Sequence, residues 1–146
     1  MKRHHQISTV TLLFALMFLC FGASPAIASS LSYKMASLDA GRNLPEGTQA
    51  EKKFRNLLDT LDNRFPESRQ QIGDMTVAGQ ELLEKNGVTV KLLEVMGACA
   101  LPAPQLVKGK KYAEIVSMYA LLRSMEGMTR RDAEDALLYA LMMEKQ

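Results

Sequence analysis

The stretch that decides the fold is TQAEKKFRNLLDTLDNRF, residues 48–65. Thr48, followed three residues later by Glu51, is the capping-box pattern that opens a helix. Apolar residues then recur three or four positions apart, except for the adjacent pair Leu57-Leu58, at Ala50, Phe54, Leu57, Leu58, Leu61 and Phe65, with polar and charged residues between them. This spacing forms one face of an amphipathic helix. Pro66 disfavours helical geometry at the residue before it and so ends the helix at Phe65.

Two more helical patterns follow this stretch. The first can use Pro66 in its opening turn and runs to the stop signal Asn86-Gly87, with these residues predicted to face inward: Ile72, Met75, Ala78, Leu82 and Leu83. Thr89 can cap the second, which carries Val90, Leu92, Leu93, Val95, Met96 and Cys99. Because apolar residues occupy more than one of its faces, this short helix is predicted to be the most buried.

The C-terminal third carries a pair of helical stripes. One comprises Tyr112, Ile115, Val116, Tyr119 and Leu122; the other follows a cap at Thr129 and comprises Ala133, Ala136, Leu137, Ala140 and Leu141. Their short connection predicts an antiparallel hairpin. No segment alternates with period two over strand length. The expected fold class is all-α: a small bundle of four or five helices that ends in this hairpin.

The first 28 residues have the layout of a secretory signal peptide. Lys2 and Arg3 precede an apolar run over 7–22, and Ala26-Ile27-Ala28 is a small-residue cleavage signal. We expect cleavage near Ala28 and a periplasmic or secreted location. An uncleaved anchor, which would touch the membrane only through this leader, and a lipoprotein modified at Cys20 are the alternatives. The predicted organisation is a signal peptide at 1–28, a flexible lead-in at 29–47 and a helical domain at 48–146.

Cleavage would change the composition in ways that bear on chemistry. The leader holds both histidines, His4 and His5, and its removal leaves sixteen basic and sixteen acidic residues. A neutral chain lacks the dense basic footprint of nucleic-acid binding. Without histidine, the common general base, the Ser-His and Cys-His nucleophile pairs and imidazole zinc sites are excluded. We therefore expect no enzyme, no cofactor and no metal.

Cys99 would be the single cysteine of the processed chain, so it could not form an intramolecular disulfide. It is expected to be buried as a small hydrophobic residue, with an intermolecular disulfide and a homodimer as the alternative. The paired acids Glu81/Glu84 and Asp132/Asp135 are read as ordinary surface charges rather than as an acid–base pair.

The candidate partner-contact residues belong to the last hairpin and the turn before it. They are the basic residues Lys108, Lys110, Lys111, Arg130 and Arg131 and the tyrosines Tyr112, Tyr119 and Tyr139. A cluster of lysines could anchor an acidic partner, and tyrosine is enriched at interfaces. If the hairpin folds as expected, the arginines could lie near the lysines.

Cys99-Ala100-Leu101-Pro102, with Gln105 and a following tyrosine-bearing helix, resembles the small exported helical immunity proteins that neutralise cell-wall-degrading effectors. The likeness covers less than half of the processed chain, and the second cysteine typical of those proteins is absent. The expected function is an exported, non-enzymatic module of the cell envelope, of adaptor, inhibitor or immunity type, that binds another protein. The alternative is a periplasmic stress chaperone or a structural subunit of an envelope secretion or transfer machine.

Overall fold

The computed structural model describes residues 30–145, which form seven helices and no strand. We number them in chain order: α1 Leu31–Ala40, α2 Gln49–Asp62, α3 Arg69–Lys85, α4 Leu92–Ala100, α5 Pro104–Val107, α6 Tyr112–Arg123 and α7 Arg130–Met143. The predicted all-α class is confirmed, with more helices than the four or five expected. The predicted signal peptide lies outside the described residues.

The additional helices are α1 and the single turn α5. Residues 31–40 were expected to be part of a flexible lead-in, but they form a helix that packs against α2, α3 and α4. Met35 and Ala36 are buried in that contact. The apolar spacing does not predict this helix because serines interrupt it. One of these serines, Ser32, is itself buried. Pro104 opens α5 at the first helical position, where its missing N–H does no harm.

The predicted caps are partly right. Thr48 accepts a hydrogen bond from the Glu51 amide, but the Glu51 carboxylate does not return to the Thr48 amide. That carboxylate instead accepts from the Gly47 amide at 2.7 Å. The next helix begins at Arg69 rather than at Pro66, because Ser68 and Gln71 form a complete capping box. Thr129 and Asp132 form the box that the sequence predicted for α7.

The core lies where α2, α3, α4 and α6 meet. The short helix α4 buries most of its apolar side chains, which confirms its central place: Leu92, Val95, Met96, Ala98 and Cys99. Helix α6 packs against α3, α4 and α7, and α7 also contacts α5. Phe65 and Tyr112 meet edge to face, with ring centroids 5.4 Å apart.

Two helices lack a cap of their own and receive one from a distant part of the chain. Lys91 and Lys111 stand at the N-caps of α4 and α6 and provide no side-chain acceptor. The Leu92 amide of α4 donates to Asp39 Oδ1 at 2.6 Å. The Tyr112 amide of α6 donates to Glu67 Oε1 at 3.0 Å. Each carboxylate also suits the positive end of the helix dipole.

The C-terminal end of α4 is held in the same way. Arg64 Nη1 donates to the carbonyl oxygens of Ala100 at 2.7 Å and of Pro102 at 2.8 Å. A guanidinium there satisfies carbonyls that the helix cannot. Of the helices between residues 30 and 145, none is both long enough and apolar enough to cross a membrane.

Candidate functional site

Two of the three tyrosines predicted to face a partner are in the core. Tyr112 and Tyr119 are fully buried, so the prediction is wrong for both. Their helical stripe was correct, but it is the stripe that faces inward. Tyr139 is exposed on α7, where Met142 and Met143 are exposed as well.

Each buried tyrosine hydroxyl has a hydrogen-bond partner, as burial requires. The Tyr112 hydroxyl lies 2.8 Å from the hydroxyl of Thr76, and Tyr119 donates to Glu94 Oε1 at 3.1 Å. Burial, with the Glu94 carboxylate nearby, raises the pKa of Tyr119 well above its usual value. Arg123 completes this cluster, since its Nε lies 3.7 Å from Glu94 Oε1, while its Nη1 donates to the Met128 carbonyl at 2.7 Å. These tyrosines therefore join helices rather than bind partners.

Cys99 is buried beside Tyr112 and is free among the described residues. Burial raises the pKa of its thiol to about 12. A thiol that is both inaccessible and protonated is a poor nucleophile for disulfide exchange. The predicted preference for burial is confirmed, and this environment disfavours the intermolecular disulfide.

The basic residues do not form one patch. Lys110 forms an ion pair with Glu144, which directly follows the last residue of α7. Arg130 begins α7 and pairs with Glu134 at 2.7 Å. At 1.5 Å per residue, these two ends of α7 are about 20 Å apart. Lys108, Lys111 and Arg131 are exposed, so the lysines and the arginines form two separate groups at opposite ends of one helix.

The paired acids are all on the surface. Glu81, Glu84, Asp132 and Asp135 are exposed, and Asp132 is occupied as the capping-box partner of Thr129. The hydrogen bonds from Thr129 lower the pKa of Asp132. Between residues 30 and 145, no group of three or more histidine, cysteine or acidic residues is placed to hold a metal ion.

The most distinctive surface feature is an apolar groove of about 220 Å³ between α3 and α6, which we call the α3–α6 groove. Its lining is apolar except for one serine: Met75, Ala78, Gly79 and Leu82 of α3, and Ala113, Val116, Ser117 and Ala120 of α6. Gly79, Val116 and Ala120 are buried and form its floor. The small side chains leave the space open between two helices that are otherwise closely packed.

The two helices run in the same direction along the groove. Thr76 contacts Tyr112, and three residues further along α3, Gly79 lies against Val116. A Cβ atom on Gly79 would clash with Val116 Cγ1, so any larger residue would require that side chain to shift. Beyond that close contact the helices present Leu82 and Leu121, with 45% and 69% of their surfaces exposed.

Sequence reasoning missed the groove because its residues carry a core pattern. Ala78 and Leu82 were predicted to face inward on α3, but both are exposed. Their apolar stripe is wider than the surface that α2, α4 and α6 cover. An apolar stripe that is wider than the area its neighbouring helices cover indicates a binding surface for another molecule. This excess width can be recognised only when the positions of the neighbouring helices are known.

The groove has acidic side chains on its outer sides. Asp74 and Glu81 of α3 and Glu114 of α6 are exposed. Helical spacing places the first two beside Ala78, on the side of the lining away from α6, and places Glu114 beside Ser117, on the side away from α3. None of the three forms a salt bridge within the part of the chain that the structure describes. The groove therefore combines an apolar floor with negative charge on both helices.

Comparisons with known protein families, with curated proteins and with solved structures gave no significant match.

Proposed function

We propose that this protein is an exported, non-enzymatic module of the cell envelope that binds another protein, as an adaptor, inhibitor or immunity-type protein. The N-terminal sequence pattern supports export. The observation that carries the binding role is the α3–α6 groove, an apolar concavity on the surface that includes the exposed Leu82, with the exposed Leu121 beside it. Apolar surface of this kind is typical of contact sites for other proteins.

The absence of histidine after the predicted cleavage supports the non-enzymatic part of the proposal. The two acid pairs of the sequence, Glu81/Glu84 and Asp132/Asp135, are exposed rather than placed inside a pocket. The alternative, a stress chaperone or structural subunit that self-associates through Cys99, has less support because that thiol is buried.

The test compares two leucine variants with similar exposure. Leu121→Asp places a charge beside the groove, whereas Leu38→Asp places the same charge on α1, where Leu38 is 58% exposed. Affinity capture from an envelope extract is performed with the processed protein and both variants, after circular dichroism has shown that all three are folded. We expect the wild type and Leu38→Asp to retain the same partner and Leu121→Asp to lose it. Equal retention by the two variants, or no partner for the wild type, would overturn the proposal.

A further inference from the structure

We propose that the occupant of the α3–α6 groove is an amphipathic helix of a partner protein, with lysine or arginine on both sides of its apolar stripe. This inference rests on the proposed function and specifies the chemistry of the partner. It combines the shape of the groove with the charges beside it.

The shape of the groove fits a helix. Two helices side by side leave a channel that runs along their length, and small residues at Ala78, Ala113 and Ser117 let a third backbone come close. In recognition of this kind, apolar residues at positions i, i+3, i+4 and i+7 of the bound helix contact the groove. Leu82 and Leu121 would then pack against the sides of that apolar stripe.

The charges specify what flanks the stripe. On the helix that occupies the groove, the residues beside its apolar stripe would lie near Asp74 and Glu81 on one side and near Glu114 on the other. Opposite charges at these positions would lower the energy of the complex, whereas carboxylates would raise it. Lys85 and Lys111 lie beyond the ends of the lining segments rather than along them. The central part of the groove therefore favours a basic partner.

The same charges argue against a second copy of this chain as the occupant. In a two-fold symmetric pair, the same surface of each copy would meet its counterpart. Glu81 and Glu114 of one copy would then approach the carboxylates of the other, and contacts between like charges are destabilising. A heterologous partner with basic residues avoids this cost.

The experiment uses two designed helical peptides of about 18 residues with the same apolar stripe. One carries lysine at the flanking positions and the other carries glutamate. Binding of each fluorescent peptide to the processed protein is measured by anisotropy at low and at high salt. We expect the lysine peptide to bind about three- to tenfold more tightly at low salt, with a smaller difference at high salt, because exposed ion pairs are individually weak and screened.

Matched variants assign the effect to the groove. Leu121→Asp should abolish binding of both peptides, and Leu38→Asp should not. The double variant Glu81→Gln/Glu114→Gln should reduce the preference for lysine, whereas Glu46→Gln/Glu84→Gln, which removes two exposed carboxylates elsewhere, should leave it unchanged.

Four results would overturn the inference while leaving the envelope-capture test to decide the proposed function independently. Equal affinity for the two peptides would show that the groove does not prefer basic flanking residues. Failure of both peptides to bind would show that the groove does not bind an amphipathic helix. A dimer in sedimentation equilibrium that Leu121→Asp dissociates would assign the groove to a second copy. Peptide binding that the full-length chain loses and the processed chain keeps would assign it to residues 1–28.

Discussion

Gly79 shows how one missing methyl group positions two helices. The backbone of α3 approaches Val116 so closely that no larger residue fits without a shift of that side chain. Valine on a helix is stiff at its first side-chain torsion, so this shift is resisted. The close contact also creates the floor of the groove, because it brings the two helices together without filling the surface between them.

We predict opposite effects for two glycine-to-alanine substitutions. Gly79→Ala should destabilise the protein by about 1 kcal/mol or more, because overpacking costs about 1–3 kcal/mol and exceeds the helix-propensity gain. Gly97→Ala in α4 should stabilise it by about 0.5–1 kcal/mol, because a Cβ atom there meets nothing within 4 Å. Urea denaturation of both variants measures these changes. A Gly79→Ala protein as stable as Gly97→Ala would refute the close contact.

Glu51 is a buried carboxylate that joins α1 to α2. It accepts from the Gly47 amide at 2.7 Å, from Arg55 at 2.6 Å and from the Ser30 hydroxyl at 3.2 Å. The Gly47 hydrogen bond, followed by smaller contributions from Arg55 and Ser30 that together outweigh desolvation, lowers the pKa of Glu51 below its usual 4.5.

This shift predicts a pH dependence of stability. Since the pKa is lower in the folded state, the unfolded chain takes up a proton first as the pH falls. The contribution of Glu51 is therefore fully present above about pH 4.5 and is lost as the pH falls through its folded pKa. Glu51→Gln should make the free energy of unfolding less dependent on pH in this acidic range. Glu84→Gln, at an exposed position, serves as the control, and an equal effect of this substitution would contradict the assignment.

At the scale of elements, the helices depend on each other for their ends. Helices α2, α3 and α7 begin with a Thr or Ser cap from their own sequence, whereas α4 and α6 take carboxylates from α1 and from the segment before α3. A lysine at the start of a helix is electrostatically unfavourable. Glu67 explains how α6 tolerates Lys111 at its N-cap, because it supplies both an acceptor and a negative charge.

Asp39 should therefore affect a helix 53 positions away in sequence. Asp39→Ala should destabilise the protein by about 0.5–2 kcal/mol, the usual range for loss of a helix N-cap. Asp39→Asn keeps a side-chain acceptor and should cost less. Amide hydrogen exchange at Leu92 is the local measurement, and it should accelerate in the alanine variant. Unchanged exchange there would show that the hydrogen bond does not protect the start of α4.

At the scale of the whole molecule, α1 closes one side of the bundle. Met35 and Ala36 are buried against the body, and Lys91 Nζ donates to the Asp39 carbonyl at 2.7 Å. This helix contacts three others, so it belongs to the folded domain rather than to a tail.

Removal of the chain before Asn43 should consequently destabilise the remaining helices. Burial of one methionine contributes about 1.5–3 kcal/mol, and loss of the Asp39 cap adds to this. We expect a decrease of at least about 2 kcal/mol in the free energy of unfolding relative to a chain that begins at Ser29, measured by urea denaturation. Identical urea midpoints for the two chains would contradict this expectation and would support the flexible lead-in predicted for residues 29–47.

The sequence by itself determined the all-α class, the amphipathic stripes of α2, α6 and α7, the capping box of α7 and the burial of α4. These features depend on residues close together in the chain, whose spacing is read directly. Only the tertiary structure decided that α1 is a helix, that Asp39 and Glu67 cap distant helices, and that Tyr112 and Tyr119 lie inside while Leu82 lies outside. An apolar stripe in the sequence shows which face of a helix is hydrophobic. Whether that face is covered depends on the width of the helices packed against it and on how closely they approach. Here the contact between Gly79 and Val116 sets the distance between α3 and α6.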